Sequence, residues 1–275
     1  MIGNYHKIAR RLKLALLPNG QDLNANIKRF VKNNRNTQVS KRPVDFEKKI
    51  EILMPCYNHA DFLPQAVESI IAQTWKQHPI TITCINDHST DQTAQVIQRL
   101  VKKHQSRSVR FQVITNDSNL RQDGSLNKAI ASSQNELFII VNDDDALVPY
   151  ALDLMIKTFQ EHPEVFMLGG SSIWFEGSLP KAPVKTSPRF TIYSQRNALD
   201  FHELNDINMT QTSNAFFKQV WKAAGGYRKK SARLTPDINE DRDFQMRVAA
   251  LAPVGVYTDY PTAYWRTDSS HGKGY

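Results

Sequence analysis

From Ile50 onward the chain alternates short apolar runs with segments whose apolar residues recur at helical spacing. The runs "IEILM", "ITITCIN", "VRFQVIT" and "ELFIIVN" have the length and β-branched content of buried strands. Between the first two, Phe62, Leu63, Ala66, Val67, Ile70 and Ile71 form one helical stripe; after the second, Ala94, Val96, Ile97, Leu100 and Val101 form another. Residues 124–133 and 149–161 complete the series of helices. This repeated β-α order predicts an α/β protein with a mostly parallel central sheet flanked by helices. Ligands of such sheets bind beyond the carboxyl ends of the strands. Three polar clusters fall at those ends: Pro55 to Asn58, Asp87 to Asp91, and Asn142 to Asp145.

Past Val165 the pattern changes. "KAPVKTSP" reads as a loop, "SNAFFKQVWKAAGGY" as a strand, a short helix and a Gly-Gly stop. "DINEDRDFQMRVAAL" starts polar and becomes a helix on which Phe244, Val248 and Leu251 make an apolar stripe. At the other end, "YHKIARRLKLALLP" has the pattern of a short basic amphipathic helix stopped by Pro18 and Gly20, and "NNRNTQVSKRP" that of a linker. The expected organisation is an N-terminal arm, residues 1–48, followed by one domain, residues 49–275.

Charge sharpens that division. The net charge is +8, yet twelve basic residues and only three acidic ones precede Ile50, which leaves the rest of the chain close to neutral. A nucleic-acid surface on the main domain is therefore not expected. A basic amphipathic helix can instead lie on an anionic membrane surface or pack on protein. No stretch approaches the roughly 18 apolar residues of a membrane span, and the N-terminus lacks the apolar segment of a secretory signal. The only cysteines, Cys56 and Cys84, fall in predicted strands and read as buried thiols in a reducing compartment, so a cytoplasmic location is expected. Neither a G-x-G-x-x-G fingerprint nor a P-loop appears, which disfavours dehydrogenases and P-loop nucleotidases.

The chemistry concentrates in "IIVNDDDALVP", where a buried run meets Asp143, Asp144 and Asp145. Adjacent buried carboxylates repel one another. Helix capping accounts for one or two of them, and a divalent cation or a set of donors for all three.

Together these pieces resemble family 2 glycosyltransferases, which have the GT-A fold. "IEILMPCYNHADFLPQAVESIIAQTW", "NDHSTDQTAQVI", "VNDDD" and "NEDRDFQMR" stand in the order of that family's motifs, between about Lys49 and Arg266. The resemblance implies a nucleotide-binding half, 49–150, and an acceptor-binding half, 151–275. It implies that Pro55, Tyr57 and Asn58 lie under a nucleotide, that Asp87 accepts from N3–H of a uracil-like base, and that Asp91 orders that loop or caps the next helix. Asn142 stands at the first position of the family's D-x-D motif and Asp144 at the second, where it would hold Mn²⁺ or Mg²⁺, with Asp143 at the nucleotide and Asp145 as a further candidate ligand. Asp241 corresponds to the general base, supported by Glu240. The family's A-R-N triplet is here Ser125, Leu126 and Asn127, so Asn127 is a nucleotide candidate, the arginine is missing, and Arg121 is its possible substitute. Asp268 replaces a usual histidine, with His271 three residues on.

The implied activity is inverting, metal-dependent transfer of a hexosyl or N-acetylhexosaminyl group, from a nucleotide-diphospho-sugar such as a UDP-sugar to the hydroxyl of a glycan or lipid-linked glycan. The basic arm adds a peripheral position at the inner face of a membrane. A non-catalytic nucleotide-sugar-binding or scaffold subunit is the alternative raised by Asn142 and the missing arginine. A sugar nucleotidyltransferase is disfavoured, because "PCYNHADF" is not the Gly-rich basic loop it needs.

Overall fold

The structure, a computed structural model, describes residues 23–182, 189–193, 213–235 and 238–269. The basic stretch before Pro18, His271 and most of the "KAPVKTSP" loop lie outside the described residues. Helix α1 (Leu23–Asn33) comes first. Strands β1 (Ile50–Cys56), β2 (Ile80–Asn86), β3 (Val109–Thr115) and β4 (Leu137–Ile140) then alternate with helices α2 (Leu63–Ile71), α3 (Thr93–His104) and α4 (Arg121–Ser132). These four strands are parallel, in the order β3-β2-β1-β4. After β4 follow a two-residue β5 (Ala146–Leu147), helix α5 (Ala151–Glu161), β6 (Met167–Phe175), β7 (Phe190–Tyr193) and β8 (Ala215–Phe217). Helices α6 (Lys218–Ala224) and α7 (Glu240–Ala249) precede the long β9 (Val254–Arg266).

The middle of the sheet is buried on both faces, so β1, β2 and β4 carry no exposed position, while the edge strand β3 is partly exposed. Successive side chains point to opposite sides. Ile52, Met54, Ile82, Cys84 and Ile139 meet α2, α3 and α5 on one side. Leu53, Ile85, Phe138 and Ile140 meet α4, α6 and α7 on the other. Strand β8 joins the sheet antiparallel to both β4 and β6, so the second half of the chain continues the first half's sheet. Cys56 and Cys84 are buried and unpaired, as their positions predicted.

Strands β6 and β9 have no counterpart in the sequence reading. They run parallel with register shifts around Ser171, and a Cβ on Gly170 would lie 2.5 Å from Thr262 Oγ1. A glycine there permits close approach of two strands, not a turn. Helix α1 is also new. Its Ile27 joins Leu234 and Met246 in a small core, so this part of the basic arm packs on the domain. The predicted linker is anchored as well: Arg42 donates to the carbonyls of Phe159 (2.6 Å) and Val165 (2.9 Å), with its guanidinium 4.8 Å from the Phe217 ring centre. Among the described residues no helix is long and apolar enough to cross a membrane.

One buried ion pair fixes α7. Arg247 and Asp243 are both fully enclosed, with Nη2 and Oδ2 2.7 Å apart, and Arg247 also donates to the carbonyls of Gly226 (2.8 Å) and Ala224. Removing one member leaves the other charge buried without its partner. Arg247→Ala is expected to cost about 3–5 kcal/mol in urea denaturation; a loss below about 1 kcal/mol, the level of an exposed pair, would contradict this role.

Candidate active site

The register brings the predicted clusters together. Cys56 lies beside Asn86 and Leu53 beside Ile140, so the chain leaves β1, β2 and β4 at one edge. Asp87 N–H donates to Cys56 O (2.9 Å) and Val141 N–H to Leu53 O (3.0 Å), which continues the ladder one residue past the strands.

Two loops on this edge are stitched by the residues that the sequence singled out. Asn58, at φ 56°, accepts from Thr90 N–H (2.8 Å) through its side-chain oxygen. Asn is among the few non-glycine residues that tolerate this left-handed backbone. Asp91 accepts from Ala60 N–H (3.1 Å) with one oxygen and from Thr93 N–H (2.9 Å), at the start of α3, with the other. Pro55, inside β1, is buried, and Tyr57 just beyond is partly exposed.

Asp87 is buried. Its Oδ1 accepts from Asn116 Nδ2 and from Leu120 N–H, both at 2.8 Å, while its Oδ2 has no hydrogen-bond partner. Asn116 is itself held by Ser125 Oγ (2.7 Å) and Lys128 Nζ (2.8 Å). A buried carboxylate oxygen without a donor is costly. This one fits a donor supplied by a ligand.

The three aspartates after β4 take separate partners. Asp143 accepts from Tyr57 N–H (3.0 Å) and lies 2.9 Å from His59 Nδ1. Burial pushes its pKa up to about 6, with Asp144 adding to the rise and His59 opposing it. Asp144 Oδ2 accepts from Ser269 Oγ (2.9 Å) and lies 3.9 Å from the same His59 nitrogen. His59, Asp143 and Asp144 each offer a ligand atom within 4.8 Å of the others. One imidazole and two carboxylates suit Mn²⁺, and a cation would relieve the repulsion that raises Asp143. The group therefore fits.

Asp145 serves elsewhere. Its Oδ1 accepts from Arg266 N–H (3.0 Å) and its Oδ2 from Asn142 Nδ2 (3.1 Å). Asn142 Oδ1 in turn accepts from Gln122 Nε2 (2.9 Å). Arg266 donates to Asp144 O (3.0 Å), to Asp268 (3.0 Å) and to Gln65 Oε1, and its guanidinium lies 4.5 Å from the ring centres of both Phe62 and Phe175. Asn127 is engaged with the segment after α6. Its Oδ1 accepts from Tyr227 N–H (2.9 Å) and Trp221 Nε1 (3.1 Å), and its Nδ2 donates to Tyr227 O (2.9 Å), which clamps the turn after α6. Arg121, the other candidate near that triplet, has φ 60° and lies exposed at the start of α4.

A second acidic group opens α7. Asp241 Oδ1 accepts from Arg242 N–H (2.7 Å), and Glu240 pairs with Arg233 at 2.9 Å. Burial and the neighbouring Glu240 push the Asp241 pKa up to about 6. The buried Tyr227 phenol nearby is held well above its ordinary value, by burial first and then by Asp241 and Glu240. Sequence reasoning missed His59, Asn116, Gln122 and Arg266. Of these, His59 stood directly after Asn58 in the first motif and Arg266 in the C-terminal stretch "YWRTDSSHGKGY", neither with a role of its own.

This sheet, with its acidic edge, is of the GT-A type. It superimposes on S. aureus TarS 1–349 in complex with UDP-GlcNAc with a TM-score of 0.59 at 18% identity, covering 80% of this chain and 59% of that one. It also matches the mannosyltransferase PcManGT from Pyrobaculum calidifontis, in complex with GDP-Man and Mn²⁺, at 0.53 and 14% identity, over 85% and 68% of the two chains. At these identities the likeness concerns the fold. Residues 51–222 match the family described as glycosyl transferase family 2, and the chain belongs to that family. Among curated relatives, a poly(ribitol-phosphate) β-glucosyltransferase of Bacillus spizizenii is 30% identical over 44% of this chain and 19% of its own length. A GalNAc(5)-diNAcBac-PP-undecaprenol β-1,3-glucosyltransferase of Campylobacter jejuni is 31% identical over 48% and 41%. The aligned part is thus less than half the length of either relative.

The geometry ranks the metal candidates. Asp144→Asn and His59→Ala are each expected to weaken Mn²⁺ binding about tenfold or more, since even indirect ligand contacts are worth that much. Asp145→Asn should weaken it less than either. Titration followed by electron paramagnetic resonance checks the order, and a larger loss for Asp145→Asn would contradict it.

Proposed function

We propose that this chain is an inverting, metal-assisted glycosyltransferase that moves a sugar from a nucleotide-diphospho-sugar to a hydroxyl acceptor. The observation that carries the reading is the row of buried carboxylates along one sheet edge, where Asp87 Oδ2 lacks a donor while Asp143 and Asp144 face His59. Asp87 Oδ2 would accept N3–H of a uracil ring, an acceptor-to-donor match that selects the base. The names of the two relatives support a glucosyl donor and an acceptor that is a glycan, a polyol phosphate or a lipid-linked glycan, and the UDP-GlcNAc bound by the TarS neighbour supports UDP as the nucleotide and N-acetylglucosamine as the other sugar. His59, Asp143 and Asp144 would hold Mn²⁺ or Mg²⁺, which supplies neutralisation of the departing diphosphate. A position on an anionic membrane surface, through the basic stretch before Pro18, belongs to the same proposal.

Asp241 is the base in this reading. It would take the proton of the acceptor hydroxyl as that oxygen attacks the anomeric carbon, opposite the leaving diphosphate. A carboxylate raised to about 6 holds that proton better than an ordinary one and is still ionised near neutral pH. Glu240, tied to Arg233, keeps a negative neighbour beside it.

Two measurements test these assignments. Asp241→Asn is expected to lower kcat by about 10²–10⁴-fold while leaving donor affinity unchanged. The base must be ionised to act, so wild-type kcat/KM should fall about tenfold per pH unit below pH 6, and the variant should lose that limb. Asp87→Asn should weaken binding of uridine diphosphate in calorimetry without changing the Mn²⁺ affinity. An Asp241→Asn enzyme with full kcat, or an Asp87→Asn protein with unchanged nucleotide affinity, would overturn the respective role.

A further inference from the structure

A cavity of about 410 Å³ lies between α1 and the turn that follows α6. Arg29, Phe30, Asn33, Asn34, Arg228 and Arg233 line it, and no acidic side chain does. Three guanidinium groups around one hollow give it a positive potential that an anion would occupy favourably. Arg233 is committed: it donates to Arg228 O (3.1 Å), Ile238 O (3.0 Å) and Glu240 Oε2 (2.9 Å). Arg228 lies 5.4 Å from the ring centre of Phe30. Among the described residues, neither Arg228 nor Arg29 has an acidic partner.

We propose that this cavity binds a phosphodiester group of an anionic glycan acceptor, held by Arg29 and Arg228, with the amide of Asn33 as a neutral donor. The planar forks of arginine match phosphate oxygens, and the cavity is large enough for one phosphate with part of its neighbouring unit. Its position favours an acceptor over a free ion. Arg233 lines the cavity and grips Glu240, the residue before Asp241, while Leu234 N–H donates to Asp243 (2.6 Å) one turn on. The walls of the cavity are thereby bolted to the start of α7. A phosphate held there would anchor the acceptor chain beside the element that carries the base. This rests on the glycosyltransferase reading, and it accounts for a helix of the basic arm packing on the domain instead of trailing from it.

The test is calorimetry on the full chain with three probes: soluble poly(glycerol phosphate), a neutral dextran, and vesicles of phosphatidylglycerol and phosphatidylcholine in equal parts. Uridine diphosphate binding is measured in parallel. The wild type should bind the phosphate polymer and not the dextran. An Arg29→Gln, Arg228→Gln double variant should bind the polymer at least about tenfold more weakly, the scale of one lost charge-assisted contact, with nucleotide affinity unchanged. Arg29→Gln alone, on an exposed position of α1, should show part of the loss in a folded protein. A Lys102→Gln, Arg107→Gln variant removes equal charge from exposed positions elsewhere and should bind as wild type.

The proposal is overturned by no polymer binding, by equal affinity in the cavity variant, by an equal loss in the charge control, or by displacement of the polymer with uridine diphosphate. Binding of vesicles but not polymer also overturns it, and a loss of that vesicle binding in the Arg29→Gln, Arg228→Gln variant would assign the cavity to a lipid headgroup. Loss of nucleotide binding in the wild type would strike the glycosyltransferase reading and leave the polymer result standing.

Discussion

Everything at this sheet edge depends on keeping three adjacent carboxylates apart and satisfied. An ionised carboxylate taken out of water without donors costs several kcal/mol, so each must be met by groups the fold delivers. Asp143 draws on the loop after β1, through Tyr57 N–H and His59. Asp144 and Asp145 draw on the end of β9, through Ser269 and Arg266. One corner after β4 thus fastens segments 84 and 121 residues away. Arg266 completes the fastening with its guanidinium between Phe62 and Phe175, so the aspartate corner joins the two halves of the chain.

The same constraint sorts the residues of this edge by the partners they take. In "NDDD" the resemblance singles out Asp144 as the metal ligand and leaves Asp143 and Asp145 as neighbours whose partners the order does not give. The structure spends Asp145 on the β9 backbone and leaves Asp143 and Asp144 facing His59. His59 was out of reach of sequence argument because its partner lies on a different loop. Asn127 sits where the resemblance places a nucleotide contact, yet its amide matches the groups of the turn at Gly226 and Tyr227, where a Cβ on Gly226 would come within 2.7 Å of it. Asp91 was read as a loop or helix cap, and its two oxygens do both.

Strands β1, β2 and β4 were legible because parallel strands covered on both faces read as near-continuous apolar runs, and the edge strand β3 through its β-branched and aromatic residues. Strands β6 and β9 were not. Gly169, Gly170, Ser171 and Ser172 interrupt β6 where it bends past β9, and Thr258, Asp259 and Pro261 interrupt β9. Helix α1 was hidden by its charge. Lys28, Arg29 and Lys32 marked an arm, while Ile27, Phe30 and Val31 were too few to outweigh them without the partner surface at Leu234 and Met246. Charge thus marked these residues as an arm and said nothing of where they pack.

The central claim is that the aspartate corner and Asp87 are two ends of one nucleotide-diphosphate site. Anomalous diffraction at the manganese edge, from crystals grown with uridine diphosphate and Mn²⁺, tests it most directly. The account predicts one manganese peak among His59 Nδ1 and the carboxylates of Asp143 and Asp144, with uracil N3 within hydrogen-bonding distance of Asp87 Oδ2. A bound nucleotide whose base leaves Asp87 Oδ2 bare, or a manganese peak away from those three residues, would contradict it.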